Sequence, residues 1–83
     1  MYFVYVLRSL KDRGFYIGCT TNIEQRLTDH NNGKTLSLKS RRPLEVVYME
    51  EYNSAEEAYR REKQIKSFKG GVAFKKLING GFA

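Results

Sequence analysis

Residues 2–8, YFVYVLR, are apolar, aromatic or β-branched at nearly every position. With neither face polar, the pattern predicts a strand buried on both sides. The polar run Lys11-Asp12-Arg13-Gly14 reads as a turn, and FYIGC at 15–19 resumes strand composition. The first two elements are therefore expected to form a β-hairpin. Gly18, near the end of the second strand, marks a bulge or a close approach to the backbone.

The period then changes. Thr21-Asn22-Ile23-Glu24 has the Ser/Thr-x-x-Glu form of a capping box and Gly33 supplies a stop, which predicts a helix over 22–32. From Gly33 to Pro43 there is no periodicity, only a basic loop. LEVVYMEEY at 44–52 reads as a third strand, and Ser54-Ala55-Glu56-Glu57 opens a second helix running to about Ser67. Gly70-Gly71 breaks it. VAFKKLIN at 72–79 makes a last short helix with Val72, Phe74, Leu77 and Ile78 available for docking, and Gly80-Gly81 is expected to end regular structure. The element order is ββαβαα.

Composition narrows the class. A chain of 83 residues has room for one small domain, spanning 1–83, with no separate catalytic and binding domains. The lone Cys19 excludes an internal disulfide and no Cys/His cluster has zinc-site spacing, which fits a reducing cytoplasm. The apolar run Tyr2 to Leu7 is too short for a signal segment or a membrane span. Fifteen Lys and Arg against nine Asp and Glu give a net charge of +6. That excess points to an anionic partner, most commonly nucleic acid, or serves solubility alone.

Helical phase singles out particular polar groups. At about 100° per residue, Ala55, Ala58, Tyr59 and Ile65 share one side of the second helix, and Glu62 falls near the middle of that stripe. Arg60, Arg61 and Lys63 project sideways or outward. In the first helix Ile23 and Leu27 define the apolar face, with Arg26 and His30 on or beside it. Inward charges are costly unless paired or bound to a metal. Either Glu62 pairs internally with Arg26 or His30, or these groups line a cleft. Tyr5 and Tyr16 can join them on one sheet face if the strand register permits.

These residues resemble the GIY-YIG nuclease family, in particular its small single-domain bacterial branch. The two tripeptides that name the family appear here as Phe3-Val4-Tyr5 and Tyr16-Ile17-Gly18, the second intact and the first keeping its tyrosine. Arg26 lies ten residues after Tyr16, His30 completes R-x-x-x-H, and Glu62 sits in the second long helix where the family carries its metal-binding glutamate. The stretches GKTLSLKSRRPLEVVY and EEAYRREKQIK extend the resemblance over nearly the whole chain.

The resemblance implies an α+β fold, a three-stranded antiparallel sheet flanked by helices, and a cytoplasmic, metal-dependent endonuclease acting on nucleic acid, DNA ahead of RNA. DNA repair is one role that family members serve. It implies a catalytic set of Tyr5, Tyr16, Arg26, His30 and Glu62, with Glu62 holding one Mg²⁺ or Mn²⁺ ion. Arg26 would bind the scissile phosphate. Tyr5 is the candidate base, its pKa expected to be lowered by Arg26 and the metal, with Tyr16 orienting and His30 assisting. Lys34, Lys39, Arg41, Arg42, Lys63, Lys66 and Lys69 are candidates for backbone phosphate contacts, or form an ordinary solvated surface. Larger members carry a further late polar residue, a role not carried over to Asn79. The rival expectations are a non-cleaving nucleic-acid-binding domain with a degenerate site, and a module whose protein partner supplies specificity.

Overall fold

The computed structural model describes residues 1–34 and 41–81. Its elements are β1 (Tyr2–Ser9), β2 (Phe15–Thr20), α1 (Ile23–Asn31), β3 (Leu44–Tyr52), α2 (Ala55–Ser67) and α3 (Val72–Gly81). The strands form one antiparallel sheet in the order β2-β1-β3. This is the expected α+β architecture, and the apolar β1 is the central strand, with Val4, Tyr5, Val6 and Leu7 fully buried.

Alternation along β1 divides the core in two. Tyr5 and Leu7 face one side with Leu44, packed by Tyr16, Ile23, Leu27 and Val46, so this side receives α1. Val4 and Val6 face the other with Tyr48, Ala58, Ile65 and Phe74, so that side receives α2 and α3. A register shift opposite Val6 and Leu7 leaves Val47 as an extra residue on β3. The shift breaks period-2 alternation, so Val46 and Met49, three apart, both accompany the Tyr5 face.

Side-chain clamps fix the ends of these elements. The Ser9 hydroxyl, fully buried, accepts from the backbone N–H of Lys11 at 3.2 Å and Asp12 at 3.1 Å and donates to the Arg41 carbonyl at 2.6 Å. It holds the hairpin turn against the chain entering β3. The Asn31 side chain accepts from Leu44 N–H at 2.7 Å and donates to Leu44 O at 3.1 Å, tying the end of α1 to the start of β3. In this way α1 is locked onto the Tyr5 face.

Several local expectations change. The cap of α1 is Asn22, whose Oδ1 accepts from Gln25 N–H at 3.1 Å; Thr21 is not the cap. The α2 cap is Ser54, accepting from Glu57 N–H at 3.2 Å, as the capping box predicts. Helix α3 runs through Gly80 to Gly81 instead of stopping at 79, since glycine lowers helix propensity without forbidding the helix. Tyr59 is 59% exposed. A step of about 100° from Ala58 carries Tyr59 off the stripe facing the sheet, which runs instead through buried Ala58 and Ile65 with Arg61 and Glu62 between them.

Candidate active site

The register answers whether the two tyrosines meet. Tyr5 pairs with Gly18 and Leu7 with Tyr16, so Tyr5 and Tyr16 are diagonal neighbours on one face, ring centroids 6.4 Å apart. A Cβ on Gly18 would lie 2.4 Å from the Tyr5 hydroxyl oxygen and 2.6 Å from Cζ. Glycine at 18 thus clears the space over β2 in which the Tyr5 ring lies. The glycine signal was a close approach.

Beyond Gly18 the Tyr5 hydroxyl reaches α1. It lies 3.2 Å from His30 Nε2, a fully buried imidazole, and His30 stacks edge-on to Tyr16 with centroids 5.4 Å apart. Arg26, one turn earlier on α1, is exposed, and its guanidinium lies near enough to the Tyr5 hydroxyl for each to act on the other's ionisation. Because α1 advances 3.6 residues per turn, Arg26 and His30 project from the same side of the helix over the same phenol.

Burial and charge set the protonation states. Burial pushes the Tyr5 phenol up, Arg26 pulls against it, and Tyr16 and Glu62 add to the rise, leaving the net direction upward. Arg26 thus acts in the expected direction but does not set the net one: a neutral phenol enclosed by the core loses more solvation on ionising than one exposed guanidinium returns. Burial likewise pushes His30 down, with Arg26 adding to the effect and Asp29 opposing it, so the imidazole is neutral near pH 7. A neutral imidazole can accept the phenol proton or, in its other tautomer, donate to the phenol oxygen. The contact is chemically able to carry a proton in either direction.

Glu62 reaches the site by a different route. It lies on α2, against the opposite sheet face, with its side chain 19% exposed and its Oε2 2.8 Å from Lys66 Nζ. Its charge is felt by Tyr5 and by Cys19 on the edge strand β2. Four of the five expected residues therefore gather on the α1 face, and the fifth acts across the sheet. Glu62 pairs with Lys66 on its own helix, and α1 and α2 cover opposite sheet faces.

A single carboxylate is a hard oxygen donor, and no group of three or more His, Cys, Asp and Glu side chains converges among the described residues. Such a site fits a Mg²⁺-like ion that keeps most of its waters, and does not fit a zinc-like site needing three or four protein ligands.

The expected phosphate contacts divide. Lys63 and Lys69 are exposed. Lys66 is held by Glu62, and Lys34 lies 3.4 Å from Asp29. Arg41 Nε donates to Asp12 Oδ2 at 3.0 Å, and Arg42 donates to Asn31 O at 3.3 Å, so the first also ties to the hairpin turn and the second to the end of α1. Lys39 lies outside the described residues.

One cluster escaped sequence reasoning. Glu50 on β3 accepts from Tyr48 and Tyr52 and from both Nε and Nη2 of Arg61, at 2.9 and 3.0 Å. Arg61 is thus half-buried in a fork and does not project into solvent. Burial pushes Glu50 up, but these hydrogen bonds outweigh it and hold its carboxyl below the ordinary range. Burial and the adjoining carboxylate push Tyr52 up to about 12. The available signal was Tyr48-x-Glu50-x-Tyr52, three polar-capable side chains on one face of a strand.

Residues 1–71 match the GIY-YIG catalytic domain. A UPF0213 protein of Staphylococcus haemolyticus is 46% identical over 68 residues, 81% of this chain and 82% of that one. Another, from Syntrophus aciditrophicus, is 44% identical over 66 residues, 77% of this chain and 75% of its own length. The solution NMR structure of a UPF0213 protein from Bacillus halodurans covers 98% of this chain and 99% of that one, at 30% identity and a TM-score of 0.47. The chain belongs to the GIY-YIG family, and its curated relatives are the small UPF0213 proteins. The family is generally one of nucleases that use divalent metals. No helix among the described residues is long and apolar enough to cross a membrane.

Proposed function

We propose that this protein is a divalent-metal-dependent endonuclease that hydrolyses phosphodiester bonds in nucleic acid, with DNA as the preferred substrate. The observation that supports this most is the arrangement over Gly18: a buried Tyr5 hydroxyl 3.2 Å from a neutral His30, with the exposed Arg26 guanidinium near enough to act on the phenol by its charge. A structural tyrosine needs one partner. This one has a proton carrier on one side and an anion receptor on the other.

Each residue then has a task. Arg26 receives a phosphoryl oxygen and stabilises its growing negative charge. Tyr5 passes a proton between the reacting oxygen and His30, and Tyr16, edge-on to His30, keeps the imidazole in place. Glu62 would hold Mg²⁺ or Mn²⁺; when bound, that ion supplies charge stabilisation and a more acidic water. Lys63 and Lys69 attract the backbone without reading sequence.

The Lys66 ion pair at Glu62 favours a second reading, a nucleic-acid-binding domain whose carboxylate is spent. Incubation with labelled single-stranded, duplex, branched and RNA substrates under Mg²⁺, Mn²⁺ or EDTA separates the two. Cleavage is expected with metal and lost with EDTA, and in Glu62→Ala and Arg26→Ala while both remain folded. Binding without metal-dependent cleavage, unchanged in Glu62→Ala, would sink the nuclease.

A further inference from the structure

The carboxylate assigned to the cation already has one. Lys66 lies one helical turn beyond Glu62 in the Glu-before-Lys order that suits an i, i+4 pair, with Nζ 2.8 Å from Oε2. The Lys66 side chain is 56% exposed and that of Glu62 only 19%. The ammonium therefore caps the solvent side of a sheltered carboxylate. Solvent-exposed pairs of this type are weak and yield to competing ions. The two arginines of α2 do not share this arrangement: Arg60 pairs outward with Glu56, and Arg61 is fixed in the Glu50 fork.

We infer that Lys66 is an internal counter-ion that stands in for the divalent cation at Glu62 and releases the carboxylate when a nucleic-acid phosphate draws the ammonium away. This rests on the role proposed for Glu62. A divalent ion and an ammonium repel each other at one carboxylate, so in the free protein a cation must displace Lys66 and leave it without its partner. A backbone phosphate gives Lys66 a new partner on the solvent side. The two ligands are thereby coupled through one side chain, and linkage makes the coupling reciprocal: nucleic acid tightens cation binding, and the cation tightens nucleic-acid binding. The uncoupled metal site stays weakly occupied until substrate is present.

The test measures Mn²⁺ affinity of the full chain directly, by electron paramagnetic resonance titration, for the wild type, Lys66→Met, Lys63→Met and Glu62→Gln. Lys63→Met corrects for the loss of one positive charge on the same helix. Without nucleic acid, Lys66→Met should bind Mn²⁺ about fivefold more tightly than Lys63→Met. A short phosphorothioate duplex should tighten Mn²⁺ binding in the wild type and have little effect in Lys66→Met. If Lys66→Met matches Lys63→Met, or the duplex tightens both alike, the counter-ion role is wrong while the nuclease reading stands. If Glu62→Gln binds Mn²⁺ as the wild type does, the metal anchor itself is misplaced and the inference falls with it.

Discussion

Two clusters in this molecule draw on the same residue types. On the α1 face, Tyr5 and Tyr16 stand with Arg26 and His30, and the field of Glu62 reaches them from behind. On the α2 face, Tyr48 and Tyr52 stand with Arg61 around Glu50. In the second cluster the arginine fork, two phenols and the carboxylate consume one another's hydrogen-bonding capacity. In the first, the arginine is exposed and forms no salt bridge among the described residues, with Asp29 acting on it only through its field, so its donors remain open to an anion beside the Tyr5–His30 contact. The difference is where the acid sits. A tyrosine–arginine cluster that contains its own carboxylate is a brace, and one whose carboxylate is displaced can receive an anion.

The strongest way to break this contrast is to remove each arginine. Arg26→Ala should lower cleavage by about 10²–10³-fold, with stability changed by no more than about 0.5 kcal/mol because the side chain is exposed. Arg61→Ala should do the reverse. Glu50 and Arg61 keep only 18% and 24% of their side-chain exposure, so stranding the carboxylate should cost about 2–4 kcal/mol in urea unfolding. Cleavage per folded molecule should be retained. Equal loss of activity in both variants would erase the distinction between brace and receptor.

Gly18→Ala tests whether the Tyr5–His30 contact depends on close approach. The added methyl would meet the Tyr5 hydroxyl at 2.4 Å, so the ring must shift. Overpacking of this kind costs about 1–3 kcal/mol, and a displacement of the phenol from His30 should lower cleavage by up to about 10²-fold. Activity at the wild-type level with an unchanged Tyr5 ring position would show that the contact is not used.

The smallest effect is on pH dependence. The Glu50 carboxyl is held below its ordinary 4.5, so its contribution to stability is complete above that value and is lost as pH falls through the lower folded value. His30, held below 6.5, adds a loss that begins as pH drops beneath 6.5, because the unfolded chain takes up the proton first. At the other end, the Tyr52 contribution is present below the phenol's ordinary 10.0 and disappears as pH rises toward about 12. Denaturant midpoints across pH should show Glu50→Gln with a smaller lowest limb, Asp12 and Asp29 retaining their share, and with the His30 limb intact. Parallel curves for Glu50→Gln and wild type below pH 4.5 would remove the brace from the account.

The elements, and which polar groups turn toward the sheet, were legible in the chain alone. Strand and helix follow from period, cap and breaker residues, which act within a few positions, so β3 and α2 begin at Leu44 and Ala55 where the pattern places them. The pattern also marked Gly18 as special and Glu62 as inward-facing. Tertiary structure decided which inward groups meet. Helical phase says that a side chain turns toward the sheet, but not which face of the sheet its helix covers, and α1 and α2 cover opposite faces. For that reason Glu62 found Lys66 and not Arg26, while Arg61, which looked solvent-facing, found Glu50. The convergence of Tyr5 and Tyr16 likewise waited on the register that sets Tyr5 against Gly18, because strand pairing is a long-range choice that no local window contains.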